Sequence, residues 1–205
     1  MKIAGSVALV TGANRGLGQS FAQALLEFGA AKVYATARDA SRVTDPRLTP
    51  LTLDITDRAS IAAAAAAAQD VTIVFNNARI STGTSILGPE ENLRRELETN
   101  YFGPVAVARA FAPVLRANGG GALVIMLSAL SWVSFPGTAG YCASKSAMWS
   151  ATNALRLELQ QQGTLVTAVH AGYLDTDMAA SVDAPKTSPD VIARLTLEAI
   201  EAGDF

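Results

Sequence analysis

The sequence predicts an α/β fold: a single doubly wound parallel sheet with helices on both faces. Three observations predict it. Short apolar runs alternate along the chain with longer amphipathic or alanine-rich stretches, the pattern of repeated strand–helix–strand units. The apolar runs end in glycine or polar residues (Thr11-Gly12, Ala37-Arg38, Asp54, Asn76-Asn77, Ser128 and Ala171-Gly172), which suits one ligand site along one edge of such a sheet. No linker, composition break or internal repeat divides the 205 residues, so 1–205 reads as one domain.

The elements follow in order. Residues 7–10 are the first buried strand. Residues 16–28 carry Leu17, Phe21, Leu25 and Phe28 at helical spacing, and Gly29 ends the helix. Residues 32–36 form a second strand, and 51–53 a third that Asp54 closes. A helix is expected over 56–69, with Thr56 as its cap and seven consecutive alanines at 62–68. Residues 71–75 are a fourth strand. Residues 90–116 read as one long helix, interrupted near Gly103-Pro104. The fifth strand is 122–127, followed by a helix over 141–162 and a sixth strand over 165–170. Ser188-Pro189 is the start signal of a last helix over 190–202.

Composition excludes several functions. Half of the residues are hydrophobic and 17% are charged, so a core can be buried and disorder is not expected. Lys plus Arg total 16 against 18 Asp plus Glu, without the basic surplus of a nucleic-acid binder. One Cys and one His exclude a disulfide framework and a Cys/His zinc site, and no metal is expected. A Ser-His-Asp hydrolase would depend on His170, and no G-x-S-x-G elbow accompanies it. The strongly apolar run at 122–127 is far below a membrane-spanning length, and 7–10 is too short for a signal-peptide core. The expected setting is the cytoplasm, with no membrane partner.

The first strand runs into Thr11-Gly12-Ala13-Asn14-Arg15-Gly16-Leu17-Gly18. Gly12 allows a tight turn, Gly16 lets backbone approach a phosphate, and Gly18 lets the helix lie close to the sheet. The helix start then offers free N–H groups and a positive dipole end to an anion. With Asn14, Arg15 and Leu17 between the glycines, this is a candidate dinucleotide loop of spacing G-x-x-x-G-x-G. Charge selects the cofactor. NAD sites place an acid about 20 residues on, at the end of the second strand. Arg38 stands there instead, and Arg15 lies inside the loop, so two cations can clamp a 2′-phosphate. The expected cofactor is NADP(H). The alternative is that Arg38 and Asp39 are a solvated pair and Asp39 takes the ribose. Asp54 reaches the adenine edge or caps the next helix.

The chemical end is the segment Tyr141-Cys142-Ala143-Ser144-Lys145. Residues four apart share a helix face, so Tyr141 and Lys145 can point into one cleft. A phenol of pKa about 10 is a poor acid–base catalyst at neutral pH, and lowering it to about 7 takes roughly 4 kcal/mol. A cation about 4 Å away supplies about that much at an effective dielectric of 20, so Lys145 can do much of this. Ser128, at the end of the fifth strand, can hydrogen-bond a carbonyl or alcohol oxygen. Asn100, in the long helix, can hold a water that relays protons.

With these motifs together the sequence resembles the short-chain dehydrogenase/reductase family, from Val7 to about Ala202. The marks are Thr11 to Gly18, Asp54, Asn76-Asn77-Ala78, Asn100, Ser128, Tyr141, Lys145, Gly172 and Thr176. The resemblance implies a Rossmann-like sheet and an NADP-dependent oxidoreductase acting on a carbonyl or secondary alcohol. It implies that Tyr141 donates or accepts the proton, while Lys145 lowers the Tyr141 pKa and holds the nicotinamide ribose. It gives Ser128 the substrate, Asn100 the water relay and Thr176 the carboxamide. Ile55, Asn77, Ala78 and Gly172 join the cofactor set. A homodimer or homotetramer packed through the two long helices is implied as well. Trp132, Phe135, Trp149, Tyr173 and Met178 fall near the cleft.

Three departures stand out. Arg79 replaces the family's Gly after Asn76-Asn77-Ala78, and a long charged side chain there either crowds the ribose or swings to solvent. Ala171 replaces a Pro, which removes no reacting group. Members generally continue into a further strand, so a seventh is expected beyond Phe205 and the chain reads as a truncated or incompletely ordered version of a slightly longer protein. A non-catalytic NADP-binding sensor or scaffold, and an isomerase or dehydratase on the same fold, are the rival readings. Cys142 is expected to be a small buried hydrophobe. Ser131 and Ser134 are weaker rivals for the Ser128 role.

Overall fold

The computed structural model describes residues 1–205. Six parallel strands form one sheet in the order β3-β2-β1-β4-β5-β6: β1 (Val7–Val10), β2 (Lys32–Ala37), β3 (Thr49–Thr52), β4 (Ile73–Asn76), β5 (Ala122–Met126) and β6 (Leu165–Val169). The order reverses between β1 and β4, which pair directly with Ala8 opposite Ile73 and Val10 opposite Phe75. A cleft opens at such a reversal, beyond the carboxyl ends of the strands. The predicted Rossmann-like, doubly wound α/β fold is the one observed.

Helices α1 (Gly16–Glu27) and α6 (Pro189–Ala202) cover one face. Their core includes Leu17, Phe21, Leu25, Phe75, Leu197 and Ile200. Helices α2 (Arg58–Ala67), α4 (Gly103–Ala117) and α5 (Ala139–Leu159) contribute to the other, with Leu9, Ile61, Phe111, Leu123 and Met148 at its centre. The strands are buried on both faces, which is why they read as continuous apolar runs and not as alternating ones. No helix is long and apolar enough to cross a membrane.

Most element boundaries agree with expectation within one or two residues, and three differences are informative. The second helix starts at Arg58, because Asp57 and not Thr56 accepts the Ala59 N–H at 2.9 Å. The seven alanines therefore extend past its end, and Ala68 packs into the core at the cap. The long helix expected over 90–116 with an interruption near Gly103-Pro104 is three pieces, with the break just before that pair: α3 (Glu90–Leu97), a π-helical segment (Glu98–Phe102) and α4. The widened segment lies just before Pro104, and that proline supplies no N–H to the Asn100 carbonyl four residues earlier. The last helix starts one residue early, capped by Ser188 with Pro189 in its first turn and closed by Gly203 at φ 87°. The seventh strand expected beyond Phe205 falls outside these residues.

Candidate functional site

The cleft is built at the ends of β1, β4 and β5. Thr11 fastens the cofactor loop. Its hydroxyl donates to the Phe75 carbonyl at 3.1 Å and accepts from the Asn77 and Ala78 N–H groups, both at 2.9 Å. Asn77 returns the contact, its amide donating to the Thr11 carbonyl at 2.8 Å. The glycine loop and the end of β4 are thus one hydrogen-bonded unit. Gly12 and Gly16 take left-handed backbone, at φ 66° and 52°. A Cβ on Gly12 would stand 3.2 Å from the Ala78 Cα, and one on Gly16 would stand 3.4 Å from Thr176 Cγ2. Thr176 therefore lies across the cleft from the loop.

The N-terminus of α1 suits an anion. Arg15 is its N-cap residue and no side chain caps the helix, so the first N–H groups remain available. Leu17 and Gly18 are buried under the sheet edge, while Asn14 is half-buried beside them. Arg15 extends sideways, Nη1 donating to Asp177 at 3.0 Å with both side chains exposed. The two expected phosphate cations are therefore not a pre-formed pair. Arg38 is exposed, whereas Asp39 is occupied locally, accepting from Ser41 N–H at 3.1 Å and Oγ at 2.6 Å. Asp54 is likewise engaged, accepting from the Thr56 N–H at 2.9 Å and hydroxyl at 2.7 Å. Burial opposes its charge, but those bonds and the nearby Arg38 hold its carboxyl below the ordinary range. Ile55 is buried in the core, so only its backbone can face a ligand. Gly172 is exposed with open space around it.

At the other end, Tyr141 and Lys145 share one face of α5, 7% and 2% exposed. Ser128 follows β5 and is buried like Tyr141, at 8% exposed. Burial pushes the phenol above its ordinary value, against the pull of Arg79 and Ser128. Lys145 behaves differently from expectation. Its Nζ donates to the Met126 carbonyl at 2.7 Å and lies 5.7 Å from the Tyr141 ring centre. Burial favours its neutral amine and holds it well below the usual lysine value, and the charge of Arg79 adds to this. Arg79 does not swing to solvent: it is half-buried, its Nη1 donating to Asn77 Oδ1 at 3.1 Å.

Asn100 is fully buried in the π-helical segment. Its Oδ1 accepts from the Ile80 N–H at 2.9 Å. Its Nδ2 donates to the Ile80 carbonyl at 2.9 Å and to Ser144 Oγ at 3.0 Å. Ser144 in turn donates to the Tyr141 carbonyl at 2.7 Å. The side chain thus clasps the segment after β4 to α5, leaving the backbone carbonyl as the group without an α-helical donor.

Ser128 caps a short 3₁₀ turn, accepting from Leu130 N–H at 3.2 Å. Ser131 accepts from the Ser128 N–H at 3.3 Å and is committed to that turn, while Ser134 is exposed. His170 stacks on Trp132 at 3.9 Å and its Nδ1 lies 3.2 Å from the Ser128 carbonyl. Trp149 meets His170 edge-on at 4.8 Å and stacks on Phe205 at 5.7 Å. Cys142 is buried. Sequence reasoning missed Ser144, the Met126 carbonyl and Glu96. Glu96 is buried, accepts from the Thr82 N–H at 2.6 Å, and supports the segment after Ile80. Its spacing of four from Asn100 on one helix was the available signal.

Known proteins resemble this chain in sequence and fold. The family model for short chain dehydrogenases matches residues 6–187. Galactitol 2-dehydrogenase of Agrobacterium fabrum is 35% identical over 90% of this chain and 76% of its own length. Dehydrogenase/reductase SDR family member 7B of Danio rerio is 31% identical over 84% of this chain, which spans 62% of that protein. A short chain dehydrogenase from Burkholderia cenocepacia, solved in complex with NADP, superposes with a TM-score of 0.95 at 41% identity. That match covers 98% of this chain and 86% of the other. A Burkholderia phymatum relative in complex with NAD shares the fold with a TM-score of 0.90 at 24% identity. The chain belongs to the short-chain dehydrogenase/reductase family.

Proposed function

We propose that the protein is an NADP(H)-dependent oxidoreductase that moves a hydride between nicotinamide and a carbonyl or secondary alcohol. The observation that carries this reading is that Lys145, one turn from Tyr141 on α5, bonds to the end of β5 just before Ser128, at the sheet edge that also holds the uncapped α1 N-terminus. The residues fit the cofactor. Gly12, Gly16 and the α1 N–H groups suit the pyrophosphate. Arg38 is exposed for a 2′-phosphate, while Asp39 is held by Ser41 and so is less suited to take a ribose. The exposed Arg15–Asp177 pair contributes at most about 1 kcal/mol, so Arg15 can turn to the phosphate. Thr176 stands opposite Gly16 for the carboxamide. When bound, the cofactor supplies or accepts the hydride.

The chain's own residues do the rest. Ser128 donates a hydrogen bond to the substrate oxygen and orients it. The Tyr141 hydroxyl gives that oxygen a proton in reduction and takes it back in oxidation. Lys145 holds the ribose, and the Asn100 carbonyl accepts from a water that returns the proton from bulk. We place the enzyme in the cytoplasm as a homodimer or homotetramer joined through α4 and α5. Apolar exposure such as Leu157 on α5, 65% exposed, supports that packing. The test is NADPH consumption over a panel of aldehydes, ketones and quinones. Turnover lost in Tyr141→Phe is the expected result. Tight NADPH binding without turnover on any substrate would favour a sensor and overturn the reading.

A further inference from the structure

Of the eight residues of α3, Glu96 is the one that is buried, at 0% exposed. A carboxyl loses its water at high cost and is rarely buried unless paired. Glu96 has the donors of Thr82 alone. Its Oε1 accepts from the Thr82 N–H at 2.6 Å and from the Thr82 hydroxyl at 3.0 Å, while its Oε2 has no hydrogen-bond partner. That free oxygen lies against Gly140, the residue before Tyr141. A Cβ on Gly140 would fall on Glu96 Oε2 and stand 2.7 Å from Leu93 Cδ2, so glycine is what lets α3 and α5 approach this closely. The contact closes a ring. The Thr82 hydroxyl donates to Glu96, so the Thr84 hydroxyl, 2.8 Å away, donates to Thr82. The Thr84 carbonyl then accepts from the Gly140 N–H at 3.5 Å.

A second clasp lies one turn further along both helices. Asn100 holds Ile80 on one side and Ser144 on the other, and Ser144 donates to the Tyr141 carbonyl. Glu96 and Asn100 are four residues apart, as are Gly140 and Ser144, so each pair shares a face of its helix. Tyr141 stands between the two clasped points of α5. We propose that Glu96 is a positioning residue: with Thr82 and Thr84 it seats Gly140 and so fixes where the first turn of α5 holds Tyr141. The inference rests on Tyr141 being the acid–base group. None of these side chains belongs to the glycine loop, so the seat acts on the chemical step and not on cofactor affinity.

Rate, affinity and rescue test it. A misplacement of about 1 Å can cost about a hundredfold in rate, so Glu96→Ala should lower kcat for carbonyl reduction by about ten- to a hundredfold. Its NADPH dissociation constant, read by fluorescence titration, should stay at the wild-type value. Glu96→Gln keeps an acceptor for Thr82 and should recover most of the rate. Gly140→Ala should be slow as well, because its methyl group displaces the carboxyl. Adding Gly140→Ala to Glu96→Ala should cost little more, since the obstacle is gone. A wild-type kcat in Glu96→Ala, a Glu96→Gln variant as slow as Glu96→Ala, or additive losses in the double variant would overturn the proposal. So would a parallel loss of rate and NADPH affinity. If Glu96→Ala fails to fold, Gly140→Ala decides: a reduced kcat at unchanged NADPH affinity supports the seat, and a wild-type kcat overturns it. Amide hydrogen exchange needs no turnover. If the wild-type protein reduces no carbonyl, a joint loss of protection at Thr82, Gly140 and Tyr141 in Glu96→Ala supports the seat and counts against the oxidoreductase reading alone. Unchanged exchange at Gly140 and Tyr141 would overturn the seat itself.

Discussion

Lys145 lies on the same face of α5 as Tyr141, yet its Nζ stays 5.7 Å from the tyrosine ring centre and donates to the Met126 carbonyl at 2.7 Å. The amine is packed between helix and sheet, where a charge is costly. Its pKa is depressed in the folded state. Between that depressed value and the unfolded value of 10.5, the unfolded chain binds more protons. Stability therefore rises with pH across this window and is lost as pH falls through the folded value. Lys145→Met should flatten that rise and increase the melting temperature near neutral pH, while lowering kcat/KM at least about a hundredfold. Thermal melts from pH 7 to 10 check the first part and NADPH oxidation the second. A lower melting temperature at pH 7 would count against it.

Tyr141→Phe removes one hydroxyl from a buried site and should leave the fold intact. Proton transfer by a positioned group is worth about 10²–10⁴-fold, and carbonyl reduction should fall by that amount. NADPH affinity, read by fluorescence titration, should change little. Reduction near the wild-type rate would show that another group handles the proton.

Arg38→Ala should separate the two cofactors. A charge-assisted hydrogen bond is worth about 1.5–3 kcal/mol, so NADPH affinity should fall by about ten- to a hundredfold while NADH affinity is unchanged. Equal losses for both would remove the phosphate contact from the reading.

Gly18→Ala should be damaging although alanine is the better helix former. Its Cβ would run into the Gly12 carbonyl oxygen and stand 2.6 Å from the Asn77 amide nitrogen. A loss of about 1–3 kcal/mol is expected, together with NADPH binding. Gly172→Ala, with no atom within 4 Å of the new Cβ, should leave the melting temperature unchanged and serves as the stability control.

His170 gives a second pH-dependent contribution. Burial lowers its pKa in the fold, against the opposing contact with the Ser128 carbonyl. Stability should therefore decline as pH falls from the ordinary value of 6.5 through the depressed one. His170→Asn should weaken that acid-side decline in denaturant midpoints. An identical decline would assign it elsewhere.

Local signals carried the fold far. Each strand is a short apolar run and each major helix has a periodic face, so element order and the edge that bears the site followed from Val7, Leu17 and their counterparts. Boundaries failed where a side chain decided them. Asp57 outcompeted Thr56 as a cap, whereas the interruption that Gly103-Pro104 announced within 90–116 is present, as a π-helical segment over Glu98–Phe102. Candidate site residues were legible because glycine spacing and the Tyr141–Lys145 interval reflect local geometry. Pairings between distant segments were not. Arg15 reaches Asp177 and Lys145 reaches the Met126 carbonyl only because separate segments meet at the sheet edge.

The sequence by itself determined the parallel α/β sheet, the glycine loop at the first strand and the face of α5 that carries Tyr141 and Lys145. Periodicity, glycine placement and helical spacing act over a few residues and need no partner. Only the tertiary structure decided which buried polar groups meet. Lys145 bonds to Met126 on β5, and Asn100 clasps the segment after β4 to Ser144 on α5. The physical reason is that burial and through-space electrostatics depend on separations between chain segments far apart in sequence, and packing alone sets those distances.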